Sequence, residues 1–332
     1  MFVGRSLSRL RAEVAVTRRS AYAEGSHKNL RVQWLTFIIF CMHYNLQIVP
    51  AEVETLSLFA QFLSRSFATV ASIYNYLSGV RILHLYLGVS PPDLTDFSLK
   101  LVLTGLKRVK GHMVKQAAPI TPELLVDIYP LIMLDSNGPV IWALFLTAFF
   151  LFLRKSNLVP LTPNSFDSSR QLTRGDFMFG KSSVLVTIKW SKTIQFGDRC
   201  LALPLLPIPG SVLCPVSALK HMMDKFPTFS PLDPAFHIVV NGRVTPLTYL
   251  RFQGYIKKYV SLKGLDPALY SSHSFRRGGA TYAHSCGVPD NLIQLQGDWR
   301  SDAYRRYLDT SIMDRAQVFM RMASAINQSF CL

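Results

Sequence analysis

The sequence predicts a mostly α-helical protein with one small antiparallel β-sheet, an α+β arrangement preceded by an all-helical domain. Three observations carry this expectation. Apolar residues recur at three- and four-residue spacing through the first third of the chain. One β-branched, alternating run, SVLVTIKW, stands near the middle. Between the two, a basic stretch ending in Ala-Ala-Pro breaks the helical pattern, as a connection between domains does. At 332 residues the chain can form two domains with buried cores, and its 49% hydrophobic content is that of a globular protein.

Residues 1–25 are rich in Arg and Ser and are expected to form a flexible basic arm; the same composition could imitate a mitochondrial presequence. Residues 26–115 read as a small helical domain ending in a basic linker. Within it, Ile73, Tyr76, Leu77, Val80, Leu83 and Leu87 line one helix face, ended by Gly88 with Pro91 and Pro92 beyond. Lys107, Arg108, Lys110 and Lys115 then form a cluster suited to a DNA backbone or to a solvated connector. In residues 116–332, Thr121 caps a helix whose first residue is Pro122, and a turn at 135–139 precedes the apolar run VIWALFLTAFFLFL. That run is shorter than the roughly 18 residues a membrane span needs, so a buried helix is expected and no membrane partner. Residues 183–190 and 200–206 make the antiparallel sheet across a Gly-Asp turn, and helical patterns return over 216–225 and 247–262.

With 36 basic and 20 acidic residues, the formal charge of +16 creates a field that attracts polyanions, and nucleic acid is the expected partner. Five cysteines without C-x-x-C spacing, in a chain this long, argue against a disulfide framework and for reduced thiols inside a cell. The eight histidines show no zinc-ligand spacing, so no metal is expected.

The sharpest motif is HSFRRGG at 273–279. His273 and Arg276 stand three apart and share a helix face. A guanidinium grips two phosphate oxygens bidentately while an imidazole exchanges a proton beside it. Arg154 stands at the end of the apolar run, where a rigid element would hold it, and Lys192 lies in WSKT between the two strands. GDWRSDAYRRYLD, at 297–309, places Tyr304 and Tyr307 on one helix face, so periodicity alone does not choose between them. Upstream, Pro289 opens a helix and Gly297 closes it, leaving Asp298 and Trp299 in a short loop.

The order Arg, Lys, His-x-x-Arg, Trp, Tyr, from 154 to 307, resembles the tyrosine recombinase (phage integrase) family. RKSNL, HSFRRGGAT and GDWRSDAYRRYL are most similar in wording to recombinases of eukaryotic mobile elements, of the Crypton and DIRS/Ngaro kinds. The resemblance implies a core-binding domain over 26–115 and a catalytic domain over 116–332 that cleaves and rejoins double-stranded DNA through a 3′-phosphotyrosyl link. It implies that Arg154 and Arg276 clamp the scissile phosphate and that His273 assists proton transfer. Lys192 would protonate the leaving 5′-oxygen, with Lys189 as the alternative. Trp299 would support the phosphate; Asp298 is the rival, because the family reads Gly-His or Gly-Trp where this chain reads Gly297-Asp298-Trp299. An indole N–H can donate to phosphate whereas a carboxylate repels it, which favours Trp299. Tyr307, eight residues after Trp299, fits the family's interval for the nucleophile better than Tyr304 at five. Asn157 stands where the family is usually acidic.

The resemblance further implies no cofactor, metal or small-molecule substrate. It implies a synaptic tetramer on DNA, aided by a C-terminal stripe of Ile312, Val318, Phe319, Met322 and Ile326 that could equally fold back on its own domain. Nuclear localisation is expected if the chain serves a eukaryotic element, and an intracellular one otherwise. Two alternatives share these residues or the basic charge: a type IB topoisomerase that relaxes supercoils, and a domesticated DNA-binding protein without strand exchange.

Overall fold

In a computed structural model, which describes residues 7–111, 116–194, 199–301 and 305, the chain divides into two compact units, Met1–Lys115 and Gln116–Leu332. The described part of the first unit consists of α1 (Leu7–Arg19), α2 (Glu24–His43), α3 (Val53–Ser64), α4 (Val70–Tyr86) and α5 (Phe97–Lys110). Phe37, Phe40, Phe59, Leu56, Ile73, Leu77, Val80 and Leu99 form its core. The α4 face matches the spacing in the sequence except at Leu87, which is 58% exposed because the helix has already ended at Tyr86.

Two expectations change here. Residues 7–19 of the presumed arm form a helix with no buried residue, and an Arg9–Glu13 pair at 3.4 Å spans one of its turns. Lys107, Arg108 and Lys110 belong to the last turn of α5, where cations complement the helix dipole. The Lys110 ammonium donates to the Ser64 carbonyl at 2.5 Å, while Lys115 lies outside the described residues.

The second unit begins with α6 (Pro122–Met133), α7 (Gly138–Phe150) and the single turn α8 (Lys155–Leu158). Thr121 caps α6 as expected, its hydroxyl accepting from the Leu124 N–H at 3.2 Å. Eleven of the thirteen residues of α7 are buried, which accounts for a helix that is apolar all round. Among the described residues no helix is long and apolar enough to cross a membrane.

Strands β1 (Phe177–Phe179), β2 (Val184–Ile188) and β3 (Leu201–Leu205) form an antiparallel sheet in that order, with Phe177 opposite Val186 and Ile188 opposite Leu201. Val184, Val186 and Ile188 face the core at the period of two read from the sequence. The Gly-Asp turn at 197–198 lies outside the described residues. After α9 (Pro215–Lys225) comes a second hairpin, β4 (His237–Val240) and β5 (Arg243–Pro246), turning on Asn241 and Gly242 at φ 50° and 74°. Asn-Gly is a strong hairpin signal, and this second hairpin adds to the single sheet expected from the sequence.

Helices α10 (Tyr249–Leu262), α11 (Ser272–Ser285) and α12 (Asp290–Gln296) complete the described part. A pair of glycines seats α11 against its neighbours. A Cβ on Gly278 would overlap the Ile120 carbonyl, and one on Gly279 would overlap the Phe149 carbonyl and the Phe152 ring. Both obstacles include backbone, which cannot move aside as a side-chain tip can. Gly278→Ala should therefore destabilise the protein by about 1–3 kcal/mol in urea unfolding. Gly254→Ala, on an open face of α10, should be neutral or stabilise by about 0.5–1 kcal/mol.

Candidate active site

Helix α11 is fixed at its start by a capping box, in which Ser271 accepts from the His273 N–H at 3.2 Å and Ser274 accepts from the Ser271 N–H at 3.0 Å. This sets the rotation of the helix and sends Arg276 inward. Arg276 is 3% exposed, and its guanidinium donates to the carbonyls of Phe152 and Gly297, the latter at 2.6 Å. It also lies 3.8 Å from the centre of the Trp299 ring. Burying a cation is costly unless dipoles replace its water; here two carbonyls and an indole face do so.

Each of these partners depends on a local irregularity. Phe152 sits just beyond α7 in the left-handed region at φ 48°, which turns its carbonyl out of the helical path. Gly297 closes α12 as expected, and the Trp299 ring occupies the space where a Cβ at this position would stand. Trp299 is buried with Phe152, Ala280 and Ile293. Trp299, proposed from the sequence as a donor to phosphate, is thus seen as the platform beneath Arg276.

Arg154 does not end the apolar helix, which stops at Phe150; it is the N-cap of α8, beyond the Phe152 turn. The correction follows from the left-handed residue, which no periodicity reveals. Lys155 follows with its ammonium 3.4 Å from the centre of the Tyr249 ring. His273, in the first turn of α11, shows its surface to solvent, yet its imidazole is held below the ordinary value of 6.5. Partial desolvation is the largest cause, followed by Lys155, Arg276 and Arg154. The charges of three cations from two elements therefore act on one imidazole, at the positive end of a helix. This is a site shaped for an anion. Lys155 was not singled out from the sequence; its place next to Arg154 in RKSNL was the available signal.

Asn157 is buried, and its amide donates to the Trp190 carbonyl at 2.5 Å. This neutral hydrogen bond joins α8 to the segment after β2. In that segment Lys189 pairs with Asp176 at 2.8 Å. Lys192 is exposed on a tight turn closed by bonds between Ser191 and Ile194. Asp298, at φ 49°, directs its carboxylate to this turn. It accepts from Ser191 Oγ at 3.1 Å, from Thr193 Oγ1, and from Arg199 at 2.5 Å. Sequence reasoning weighed Asp298 as a phosphate support and missed this contact, which spans more than a hundred residues. Tyr304, Tyr307 and the stripe from Ile312 to Ile326 lie outside the described residues.

No family model matches the chain. The integrase/recombinase xerD homolog of Selenomonas ruminantium is 26% identical over 314 residues, spanning 90% of this chain and 86% of that protein. In sequence the chain is similar to the tyrosine recombinases. The chain shares its fold with the integrase of transposon Tn1549 in complex with circular-intermediate DNA. That match has a TM-score of 0.58 at 14% identity, covering 92% of this chain and 97% of the other. A lambda integrase dimer bound to a core site matches with a TM-score of 0.58 at 16% identity, covering 93% and 95%.

The depressed His273 carries a pH signature. The unfolded chain binds this proton near 6.5 and the folded one only at lower pH, so the histidine's contribution to stability is intact above 6.5 and is lost as pH falls through the folded value. NMR titration should place the His273 midpoint below 6.5, and Lys155→Ala should move it upward. An unchanged midpoint would separate Lys155 from the site.

Proposed function

We propose that this chain is a site-specific DNA recombinase that cuts and rejoins double-stranded DNA through a 3′-phosphotyrosyl intermediate, in the service of a mobile element. The observation that carries this reading is the positive field that Arg154, Lys155 and Arg276 together exert on His273 at the start of α11. A phosphodiester brought there meets two guanidiniums, an ammonium and a neutral imidazole. In the transition state, negative charge grows on the non-bridging oxygens, and Arg154 and Arg276 stabilise it. The Tyr307 hydroxyl attacks phosphorus, forming the new O–P bond as the bond to O5′ breaks. His273, neutral near pH 7, is suited to assist the proton transfer from the attacking hydroxyl. Lys192 delivers a proton to the departing O5′, and Lys189, engaged with Asp176, is less suited to that task. The tyrosyl ester conserves the bond energy, so a 5′-hydroxyl from another strand reverses the step and joins the ends. The chemistry needs no metal.

DNA of any sequence is favoured as a ligand by the charge of +16 and by the basic last turn of α5. A synaptic tetramer and a nuclear location belong to the same reading, the latter resting on the eukaryotic-element wording of RKSNL and HSFRRGGAT.

A nicked suicide duplex, on which the cleaved strand diffuses away, tests the reading. Wild type should accumulate a covalent protein–DNA adduct, and Tyr307→Phe should form none while keeping DNA affinity. Arg276→Ala should slow adduct formation by roughly 10²–10³-fold. Adducts that persist in Tyr307→Phe and vanish in Tyr304→Phe would reassign the nucleophile. Absence of adducts in wild type on every duplex tried would leave a DNA-binding protein. Affinity should also fall steeply with salt, through release of counterions.

A further inference from the structure

Lys192 is exposed at the tip of a tight turn, a poor position for a group that must meet one oxygen atom. The residues on either side of it are not loose. One carboxylate oxygen, Asp298 Oδ2, accepts from both Ser191 Oγ and Thr193 Oγ1, while Oδ1 takes the Arg199 guanidinium. Ser191 Oγ and Thr193 Oγ1 lie 2.7 Å apart, Ser191 Oγ also accepts from the Thr193 N–H at 3.1 Å, and Arg300 donates to the Thr193 carbonyl at 2.5 Å. From its place beside Trp299, Asp298 thus reaches back to grip the turn. Its left-handed backbone, tolerated by Asp better than by most residues, sends its side chain toward the turn while the next side chain packs over Arg276.

We propose that Asp298 is a positioning residue, which latches the Lys192 turn to the segment carrying Trp299 so that the proton donor is held in register with the arginine clamp. The carboxylate is 11% exposed and satisfied by three donors, which makes it a fixed anchor and not a surface charge. It acts only through Lys192, and so rests on the assignment of that lysine as proton donor. Breaking the P–O5′ bond leaves an alkoxide that takes its proton from the lysine ammonium. If sulfur replaces O5′, the leaving group departs as a stable thiolate and needs no proton.

The test compares Asp298→Ala, Lys192→Ala and Arg276→Ala in the full chain, on suicide duplexes with either a 5′-oxygen or a 5′-bridging sulfur at the cleavage site. Asp298→Ala should form adducts about 10²-fold more slowly than wild type with oxygen and near wild-type rate with sulfur, in parallel with Lys192→Ala. Arg276→Ala should stay slow on both. Asp298→Asn, which keeps an acceptor for Ser191 and Thr193, should lose less than Asp298→Ala. Asp298→Ala that is slow on both duplexes, or normal on both, overturns the latch. Lys192→Ala without rescue by sulfur overturns instead the assignment of the lysine. Hydrogen–deuterium exchange over residues 190–194 gives a readout independent of cleavage. It should quicken in Asp298→Ala, and unchanged exchange would also overturn the latch.

Discussion

The second unit is organised around one buried guanidinium. Arg276 lies among apolar residues with its charge met by the carbonyls of Phe152 and Gly297 and by the face of Trp299. An ammonium could not make this planar, forked set of contacts. The surroundings carry the corresponding features. Phe152 adopts a left-handed backbone, Gly297 leaves room for an indole, and Gly278 and Gly279 let α11 come close enough for the side chain to reach. Overlap at Gly278 or Gly279 would shift the arginine along with the helix, and overlap at Gly297 would displace the indole from beneath it.

From this centre, contacts run outward to every other described site residue. Trp299 supports Arg276 and is joined through Asp298 to the turn holding Lys192. Phe152 is followed two residues later by Arg154, whose charge, with that of Lys155, reaches His273 on the first turn of α11. Asn157 closes the circuit by bonding to Trp190, two residues before Lys192. Groups from α8, the β2–β3 connection, α11 and the loop after α12 are thereby tied together by side-chain hydrogen bonds, to backbone carbonyls and to one carboxylate. In a site proposed to hold a charged diester, such bonds leave few ways for one group to drift alone.

Much of the fold was legible in the sequence because its signals are local. The α4 stripe, the Thr121-Pro122 cap, the apolar α7 and the alternating β2 each follow from spacing within a few residues. Strand β1 was not legible, since three residues with no alternation beyond chance become a strand only when β2 supplies partners. The identities of Arg154, Lys192, His273, Arg276 and Trp299 came from motif order, and the structure adds what order cannot contain. It places Arg154 beyond a left-handed turn, gives Trp299 a seat beneath a cation, and turns Asp298 from rival to neighbour of the lysine. Those facts depend on backbone sign and on contacts across more than a hundred residues, neither of which leaves a periodic trace.

The threefold hold on Arg276 also bears on when order is acquired. A free arginine side chain has about 2 kcal/mol of rotamer entropy to lose on being fixed. Because carbonyls and an indole already fix this one, that entropy is surrendered as the chain folds and would not weigh against the phosphate proposed to bind there. The same contacts that let a cation reside in a hydrophobic interior therefore make the site stiff before its substrate is present, and structural integrity and readiness for chemistry become one property.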